Sequence, residues 1–374
     1  MDDERLIPVT MPKWGFAMTE GCIGNWLITE GGTVEAGGEV LDVETDKIAG
    51  AVEVTSSGTL RRAVAQPGET LPVGALLGVI APADIPDSVI DEFVCQFQKD
   101  FVPEEAVAED RGPQPESVTA GDVRVNFLRL GSGKKTAVLL HGFGGDLNNF
   151  LFNHSVLAEQ HTVYAVDLPG HGSSSKTVGD GSLASMAATI QQLLLELGIA
   201  RADLVAHSMG GAIALQLTKT EPGLVNSLVL IASAGLGPEI NAGYLRGFTE
   251  SRSRRELKPH VQQLFHDPSL VTRQVIEDLL KYKRLDGVQQ ALQTILDSFI
   301  EGETQAAAVS RQALEPGGVP SLVIWGADDR IIPADHARGL PETVEARVLE
   351  KCGHMVHMEG AAAVNRLILD FWSG

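Results

Sequence analysis

The sequence has few cysteines, few aromatic residues and no long apolar run. Its three cysteines, Cys22, Cys95 and Cys352, are far apart in 374 residues, so we expect neither a disulfide framework nor a structural metal site. No apolar stretch reaches the length of a membrane span. The first residues are acidic where a secretory signal would be basic. The sequence therefore predicts a cytoplasmic protein.

Positive charge is also scarce. The chain has 29 Lys and Arg against 49 Asp and Glu, a net charge of −20. Such an acidic chain is unsuited to nucleic acid or to an anionic membrane surface as a partner. Its length suits two domains better than one. The sequence leaves the oligomeric state open.

The first eighty residues contain an internal repeat, which appears when the sequence is shifted by 37 positions. The matching pairs are Gly21 and Gly58, Ile23 and Leu60, Gly31 and Gly68, Thr33 and Thr70, Val34 and Leu71, Gly37 and Gly74, Val40 and Leu77, and Val43 and Ile80. Short apolar runs broken by Gly and Pro lie between them, a pattern typical of strands and turns. We predict a small all-β domain, a flattened barrel of two similar strand sets, over residues 1–82.

Residues 83–120 are rich in proline and acidic residues and are interpreted as a linker. Within it, apolar residues recur at helical spacing, at Ile90, Phe93, Val94 and Phe97. Ser88 and Asp91 resemble a capping box. The pattern predicts a short amphipathic helix that packs back on one of the two domains. A docking helix for a partner subunit is the less favoured interpretation.

Residues 121–374 alternate between short apolar runs and helical patterns. The runs at 136–140, 163–166, 204–206, 228–231 and 322–325 suit strands that are buried on both faces of a parallel sheet. Helical spacing follows in 183–197 and 364–371, and a charged, helix-like stretch at about 235–305 is interpreted as a lid. This alternation predicts a doubly wound α/β domain.

The connection between the two copies of the repeat carries Lys47. It reads ETDK at residues 44–47, and apolar residues on both sides predict a hairpin tip. A lysine on a protruding turn is a good attachment point for a covalent carrier. The runs MPKWGFAMTEG at 11–21 and ETDK at 44–47, with Gly31 and Gly58, resemble the lipoyl domains of 2-oxo acid and acetoin dehydrogenase complexes. The resemblance implies that Lys47 bears lipoate; biotin, and a bare surface lysine, are the alternatives.

Ser208 lies in AHSMGG at residues 206–211, directly after a predicted strand. This is the nucleophile elbow A-x-S-x-G, with Ala206 where the usual form has glycine. A serine needs a base, and the base needs an orienting acid. We assign His354 as the base, before the last helix, and Asp329 as the acid, after a buried strand. Asp328 is the alternative acid, although a solvated loop carboxylate is the favoured interpretation for it.

Glycines after the first strong strand, in HGFGG at 141–145, allow a close approach of the backbone to a substrate. We expect the amides of Phe143 and Met209 to stabilise an oxyanion. His171, in DLPGHG at 167–172, and His207 are interpreted as structural or exposed histidines. The three motifs in this order resemble the α/β-hydrolase superfamily. A pseudo-active site on a binding scaffold is the alternative.

The whole chain, a lipoyl domain joined to an α/β-hydrolase domain, resembles the acyltransferase components of acetoin dehydrogenase complexes. That resemblance implies transfer of an acetyl group from dihydrolipoyl-lysine to coenzyme A in acetoin catabolism. It also implies partners: thiamine-diphosphate-dependent subunits and dihydrolipoamide dehydrogenase. The H-x-x-x-D-G motif of ordinary 2-oxo acid acyltransferases is absent from the sequence. We therefore hypothesise that Ser208 takes the acetyl group.

Two other functions stay open at this point. In the first, Ser208 hydrolyses an ester or thioester. In the second, the chain is a carrier and scaffold, and its hydrolase domain has no catalytic activity. Cations in the predicted lid are candidates for the phosphates of coenzyme A, although an ordinary solvated cluster is favoured. They are Arg252, Arg254, Arg255 and Lys258.

Overall fold

The computed structural model describes residues 5–12, 20–44, 49–54, 56–101, 113–306, 311–315 and 317–373. The chain divides into two compact units, Met1–Gly112 and Pro113–Gly374. Each unit has hydrophobic core clusters of its own.

The N-terminal unit contains eight described strands in two four-stranded sheets. The strands are β1 (Ile7–Thr10), β2 (Glu20–Trp26), β3 (Thr33–Val34), β4 (Glu39–Glu44), β5 (Ala49–Glu53), β6 (Gly58–Ala63), β7 (Thr70–Pro72) and β8 (Leu76–Ala81). One sheet has the order β1-β8-β6-β3 and the other β5-β4-β2-β7. Each sheet takes strands from both copies of the repeat, so the predicted all-β domain is confirmed.

The repeat is visible in the turns of this unit. Gly31 and Gly68 have φ values of 85° and 83°, and Gly37 and Gly74 have 82° and 83°. Residues other than glycine rarely adopt a positive φ. The glycines therefore recur at matching positions because the same turns recur. Of the eight apolar residues matched by the repeat, six are at most 2% exposed, and Val34 and Leu71 are half-buried. The six are Ile23, Val40, Val43, Leu60, Leu77 and Ile80.

A helix, α1 (Asp87–Asp100), follows the second copy of the repeat. Its Ile90 is fully buried in a cluster with Leu76 and Val79 of β8, so the helix packs back on the N-terminal unit. Arg61 of β6 also pairs with Asp87 at 2.7 Å. The expected capping box is wrong, because the helix begins after Pro86 without any side-chain cap. Proline at this position sets an extended backbone and serves as the start signal instead.

The C-terminal unit contains ten described strands: β9 (Glu116–Ala120), β10 (Val123–Leu130), β11 (Lys135–Leu140), β12 (His161–Val166), β13 (Ala202–His207), β14 (Val225–Ile231), β15 (Ile300–Glu301), β16 (Thr304–Gln305), β17 (Ser321–Gly326) and β18 (Val344–Leu349). Its described α-helices are α2 (His154–Leu157), α3 (Leu183–Glu196), α4 (Met209–Thr220), α5 (Ala242–Glu250), α6 (Arg254–Val261), α7 (Arg273–Lys283), α8 (Val288–Phe299), α9 (Val356–Glu359) and α10 (Ala361–Ser373). The segment interpreted as a linker, 83–120, thus includes helix α1 and strand β9.

Eight of these strands form one sheet in the order β18-β17-β14-β13-β11-β12-β10-β9. The six from β11 to β18 in this sheet run parallel, while β9 and β10 are antiparallel. Every residue of β12, β13 and β17 is buried, because helices cover both faces of such a sheet. The five predicted strands are present, and the α/β-hydrolase fold is confirmed.

The predicted helical lid lies between β14 and β17 and consists of α5 to α8 with the β15–β16 hairpin. Local signals define its helices. Ser253 and Glu256 form a capping box at the start of α6, and Thr272 caps α7 by accepting from the amide of Val275. None of the helices in the described ranges combines the length and apolar character needed to cross a membrane.

Candidate active site

The predicted site residues follow the carboxyl ends of neighbouring parallel strands. Ser208 comes directly after β13, Asp329 three residues after β17, and His354 five residues after β18. The glycine loop 141–145 follows β11, the neighbour of β13. Carboxyl ends of parallel strands meet at one edge of a sheet, which is where open α/β folds bind ligands. The topology therefore brings together Ser208 and His354, which are 146 positions apart.

The backbone at Ser208 is strained, with φ 54° and ψ −121°. Such values cost on the order of 1–3 kcal/mol for a residue with a side chain. Tight packing holds the turn: a Cβ on Gly210 would clash with the carbonyl oxygen of Leu140, and one on Gly211 would clash with Oγ of Ser233. Ala206 fits in this elbow while fully buried. This strained turn places Ser208 directly before the first residue of α4.

A chain of hydrogen bonds links the three predicted triad side chains. Nε2 of His354 lies 2.9 Å from Oγ of Ser208, and Nδ1 of His354 lies 2.8 Å from Oδ2 of Asp329. All three side chains are buried. With Nδ1 donating to the carboxylate, Nε2 is free to accept the serine proton.

The two neighbouring aspartates have different surroundings. The second oxygen of Asp329, Oδ1, accepts from the amides of Ile331 and Ile332 at 2.8 and 3.0 Å, which fixes the carboxylate toward His354. The carboxylate of Asp328 is 44% exposed and pairs with Nδ1 of His266 at 2.8 Å. The geometry thus favours Asp329 over Asp328 as the partner of the histidine.

The glycine loop provides an amide for an oxyanion. Among the described residues, the N–H of Phe143 has no hydrogen-bond partner, whereas the N–H of Gly144 donates to Nε2 of His171 at 3.0 Å. Met209 is the first residue of α4, where amides lack an intrahelical acceptor. A Cβ on Gly142 would lie 2.9 Å from Cβ of Ser208, so only glycine allows this approach.

His171 is a buried residue that holds this loop. Its Nδ1 lies 3.0 Å from the carbonyl oxygen of Pro169, so Nδ1 carries the proton and Nε2 accepts from Gly144. Burial, with smaller contributions from His141 and Lys176, lowers the pKa of His171 to about 3. The ring is therefore neutral at any ordinary pH. The sequence interpretation of His171 as structural or exposed did not identify this contact.

His207 is also buried and touches the triad through the backbone. Its Nε2 lies 3.0 Å from the carbonyl oxygen of His354. Burial, and then the nearby His357 and His354, keep the pKa of His207 well below its usual value. A neutral imidazole beside the triad adds no charge that would disturb His354.

Glu359 is a residue that sequence reasoning missed. Its carboxylate accepts from the amide of Gly353 at 2.6 Å and from the amide of His266, in the lid region, at 2.9 Å. It therefore ties the loop that carries His354 to the lid. Glu359 belongs to no recognised motif, and only its place five residues after His354 marks it.

Other predicted site residues have simpler outcomes. Lys47 lies outside the described residues; the strands on either side, β4 and β5, pair antiparallel as far as Glu44 and Ala49. In the lid, Arg252 donates to Oε1 of Gln289 at 2.6 Å, and Arg254 lies 3.5 Å from Glu277. These contacts favour the solvated-cluster interpretation of the lid cations. The described part of the chain brings together no group of His, Cys, Asp and Glu arranged to hold a metal ion.

Comparison with known proteins agrees with both units. A family model for the alpha/beta hydrolase fold matches residues 136–361, and one described as "Biotin-requiring enzyme", the biotin/lipoyl family, matches 7–80. The dihydrolipoyllysine-residue acetyltransferase component of the acetoin cleaving system of Pseudomonas putida is 50% identical over 364 residues, 97% of each chain. The component from Cupriavidus necator is 46% identical over 97% of this chain and 96% of its own length.

This chain belongs to the family of acetoin cleaving system acetyltransferase components. A solved meta-cleavage product hydrolase from Pseudomonas fluorescens, 23% identical, also resembles the C-terminal unit, with a TM-score of 0.64 over 69% of this chain and 97% of that one. At this identity the likeness shows the α/β-hydrolase fold alone. Family membership and fold together therefore indicate an acetyltransferase in which a carrier domain is joined to an α/β-hydrolase domain.

Proposed function

We propose that the protein transfers an acetyl group from dihydrolipoyl-lysine to coenzyme A in acetoin catabolism, through an acetyl group on Ser208. The observation that supports this proposal is the series of hydrogen bonds from Ser208 through His354 to Asp329. It occurs in a protein that is 50% identical to an acetyltransferase component. Such a chain of groups activates a hydroxyl for attack on an acyl carbon.

Lys47 is the proposed attachment point of lipoate. The observations that support it are the pairing of β4 with β5 on either side of ETDK and the family match over 7–80. Lipoate, when bound, supplies a dithiol that carries an acetyl group as a thioester. A carrier lysine needs a rigid frame, and the paired strands β4 and β5 that flank it in the sequence provide one.

In the proposed first half-reaction, Oγ of Ser208 attacks the carbonyl carbon of the thioester while Nε2 of His354 takes the hydroxyl proton. The amides of Phe143 and Met209 donate to the oxygen that becomes negative. As the C–S bond breaks, His354 gives its proton to the leaving sulfur. Asp329 stabilises the imidazolium between these two transfers. A free thiol and an acetylated Ser208 result.

In the second half-reaction, His354 takes the proton of the coenzyme A thiol, and the sulfur attacks the acetyl carbon on Ser208. The bond from Oγ to the carbonyl carbon breaks, and His354 returns the proton to Oγ. The site is buried and lined by lid side chains such as Tyr244 and Phe248, which disfavours water as the competing nucleophile. The proposed partners are thiamine-diphosphate-dependent subunits and dihydrolipoamide dehydrogenase.

The test measures acetyl-coenzyme A and free acetate from acetyl-dihydrolipoamide, with and without coenzyme A. Ser208→Ala is expected to lower transfer at least about a thousandfold, because the base and oxyanion donors have no nucleophile to serve. Mass spectrometry of wild-type protein without coenzyme A should show one added acetyl group on Ser208. Ser227→Ala is the matched control: Ser227 is a buried serine near the amino end of β14, and its loss should leave transfer in place.

Two results would contradict the proposal. Release of acetate at a rate that coenzyme A does not change would identify a hydrolase. Unchanged formation of acetyl-coenzyme A by Ser208→Ala would identify a carrier and scaffold with a silent second domain.

A further inference from the structure

The cavity beside Ser208 is small and mostly apolar. Its volume is about 50 Å³, and its lining includes Leu245, Phe248 and Phe299 from the lid. A protein cavity of roughly 150 Å³ admits benzene, which has six carbon atoms. One third of that volume suits a group of two or three non-hydrogen atoms. The acetyl group, with two carbons and one oxygen, is of this size.

Phe248 is a tightly packed lining residue of this cavity. It is 2% exposed, and its ring packs on the glycine loop: a Cβ on Gly144 would lie 2.5 Å from Cε1 of Phe248. The ring also meets Phe143 edge-on, with centroids 6.0 Å apart, and lies 6.1 Å from the ring of Tyr244. A displaced Phe248 would therefore displace the loop that carries the proposed oxyanion donor.

Lys283, on α7, contacts both the backbone carbonyl and the ring of Phe248. The side chain is 6% exposed, and its Nζ donates to the carbonyl oxygen of Phe248 and, at 2.8 Å, to that of Ser251. The ammonium also lies 4.9 Å from the ring centroid of Phe248. No carboxylate forms an ion pair with it within the described part of the chain. Its charge is balanced by the carboxyl-terminal end of α5 and by the aromatic face.

We propose that Phe248, positioned by Lys283, is the specificity-determining residue that limits the acyl group at Ser208 to the size of acetyl. This inference rests on the proposed function, since it takes Ser208 as the acceptor of the acyl group. Phe248 acts by occupying the space that a longer chain would need. Lys283 does not line the cavity; it is a positioning residue that acts through Phe248.

The experiment compares acetyl-, propionyl- and butyryl-dihydrolipoamide as donors to coenzyme A, with the full-length lipoylated protein. For the wild type, kcat/KM should fall roughly 10- to 200-fold for each added methylene, the usual range for a hydrophobic pocket. Phe248→Ala should raise the butyryl-to-acetyl ratio of kcat/KM by at least about tenfold. Lys283→Met should raise the same ratio to a smaller extent.

Phe127→Ala is the matched control, because Phe127 is 3% exposed in the same core but does not line the cavity. It should leave the ratio unchanged, which separates selection from a loss of stability. If Phe248→Ala does not fold, Phe248→Leu and the wild-type series still decide the matter. Equal use of butyryl and acetyl donors by the wild type, or an unchanged ratio in the folded Phe248 variant, would overturn the inference. Neither result bears on whether Ser208 is the nucleophile, which Ser208→Ala tests alone.

Discussion

The two units of this protein place their proposed chemistry in opposite ways. In the N-terminal unit, the proposed carrier lysine belongs by sequence to the short connection between two paired strands, and the strands and their core form a frame. In the C-terminal unit, the proposed catalytic side chains are themselves buried and come from the ends of separate strands. A carrier group must be able to reach other active sites, whereas catalytic side chains must be held in a fixed geometry.

This difference predicts different sensitivities. A carrier site should depend on the identity of one residue and tolerate changes around it. A preorganised site should depend on many residues that never touch the substrate, such as Glu359 and His171, because each holds a reacting group in position.

The sharpest contrast comes from Lys47→Arg. Arginine keeps the charge but offers no amine for amide formation with lipoate, so turnover of acetoin in the reconstituted complex should be lost completely. Transfer from free acetyl-dihydrolipoamide to coenzyme A should persist, because the triad is in the other unit. Lys99→Arg is the control in the same unit. Loss of the free-substrate reaction as well would show that the two sites do not work as separate parts.

Asp329→Asn tests preorganisation within the triad. The amide would present its nitrogen or oxygen to Nδ1 of His354 and lose the stabilisation of the imidazolium, so kcat for transfer should fall by about ten thousandfold. Asp328→Asn makes the same change one residue earlier, at a half-exposed carboxylate that pairs with His266. Its kcat should stay within about twofold of the wild type. Equal losses in the two variants would refute the assignment.

His171→Gln tests a residue that acts only through the loop. Without the acceptor for the amide of Gly144, the oxyanion donor of Phe143 should be displaced rather than removed. We expect kcat to fall roughly 10- to 100-fold, less than for a deleted donor, with little change in KM. A change confined to KM would indicate a role in substrate binding. Steady-state kinetics with free acetyl-dihydrolipoamide separates the two parameters.

The buried histidines predict a loss of stability in acid. Burial lowers the folded-state pKa of His171 and of His357 from 6.5 to about 3. Between pH 6.5 and 3 the unfolded chain binds more protons, so their stabilising contribution is complete above pH 6.5 and falls as the pH falls. The slope is at most about 1.4 kcal/mol per pH unit for each histidine. Urea unfolding at several pH values measures it.

His357→Gln removes one of these two buried histidines and should flatten the dependence of the unfolding free energy on pH. An equal slope in His357→Gln and wild type would show that the acid sensitivity arises elsewhere.

Much of the fold was predictable because its signals are local. The repeat alone marks Gly31 and Gly68 as equivalent turn residues, and continuous apolar runs mark the central strands. Strands β9 and β18 carry no such signal. Both lie at edges of the sheet and have one buried residue each, the others being exposed or half-buried, so neither contains an apolar run. The sequence therefore predicts the central strands of the sheet better than its edge strands.

The sequence by itself determined the candidates that depend on residue type and chain order: a lysine in ETDK, a serine in an elbow, and then an acid and a histidine. It also determined the two-unit architecture, because hydrophobic periodicity is a local property. Only the tertiary structure placed Asp329, and not Asp328, against His354. It also showed that His171 and Glu359 hold the loops, and that Phe248 lines a small cavity. Those outcomes depend on hydrogen bonds and packing between segments far apart in the chain, and no local pattern encodes them.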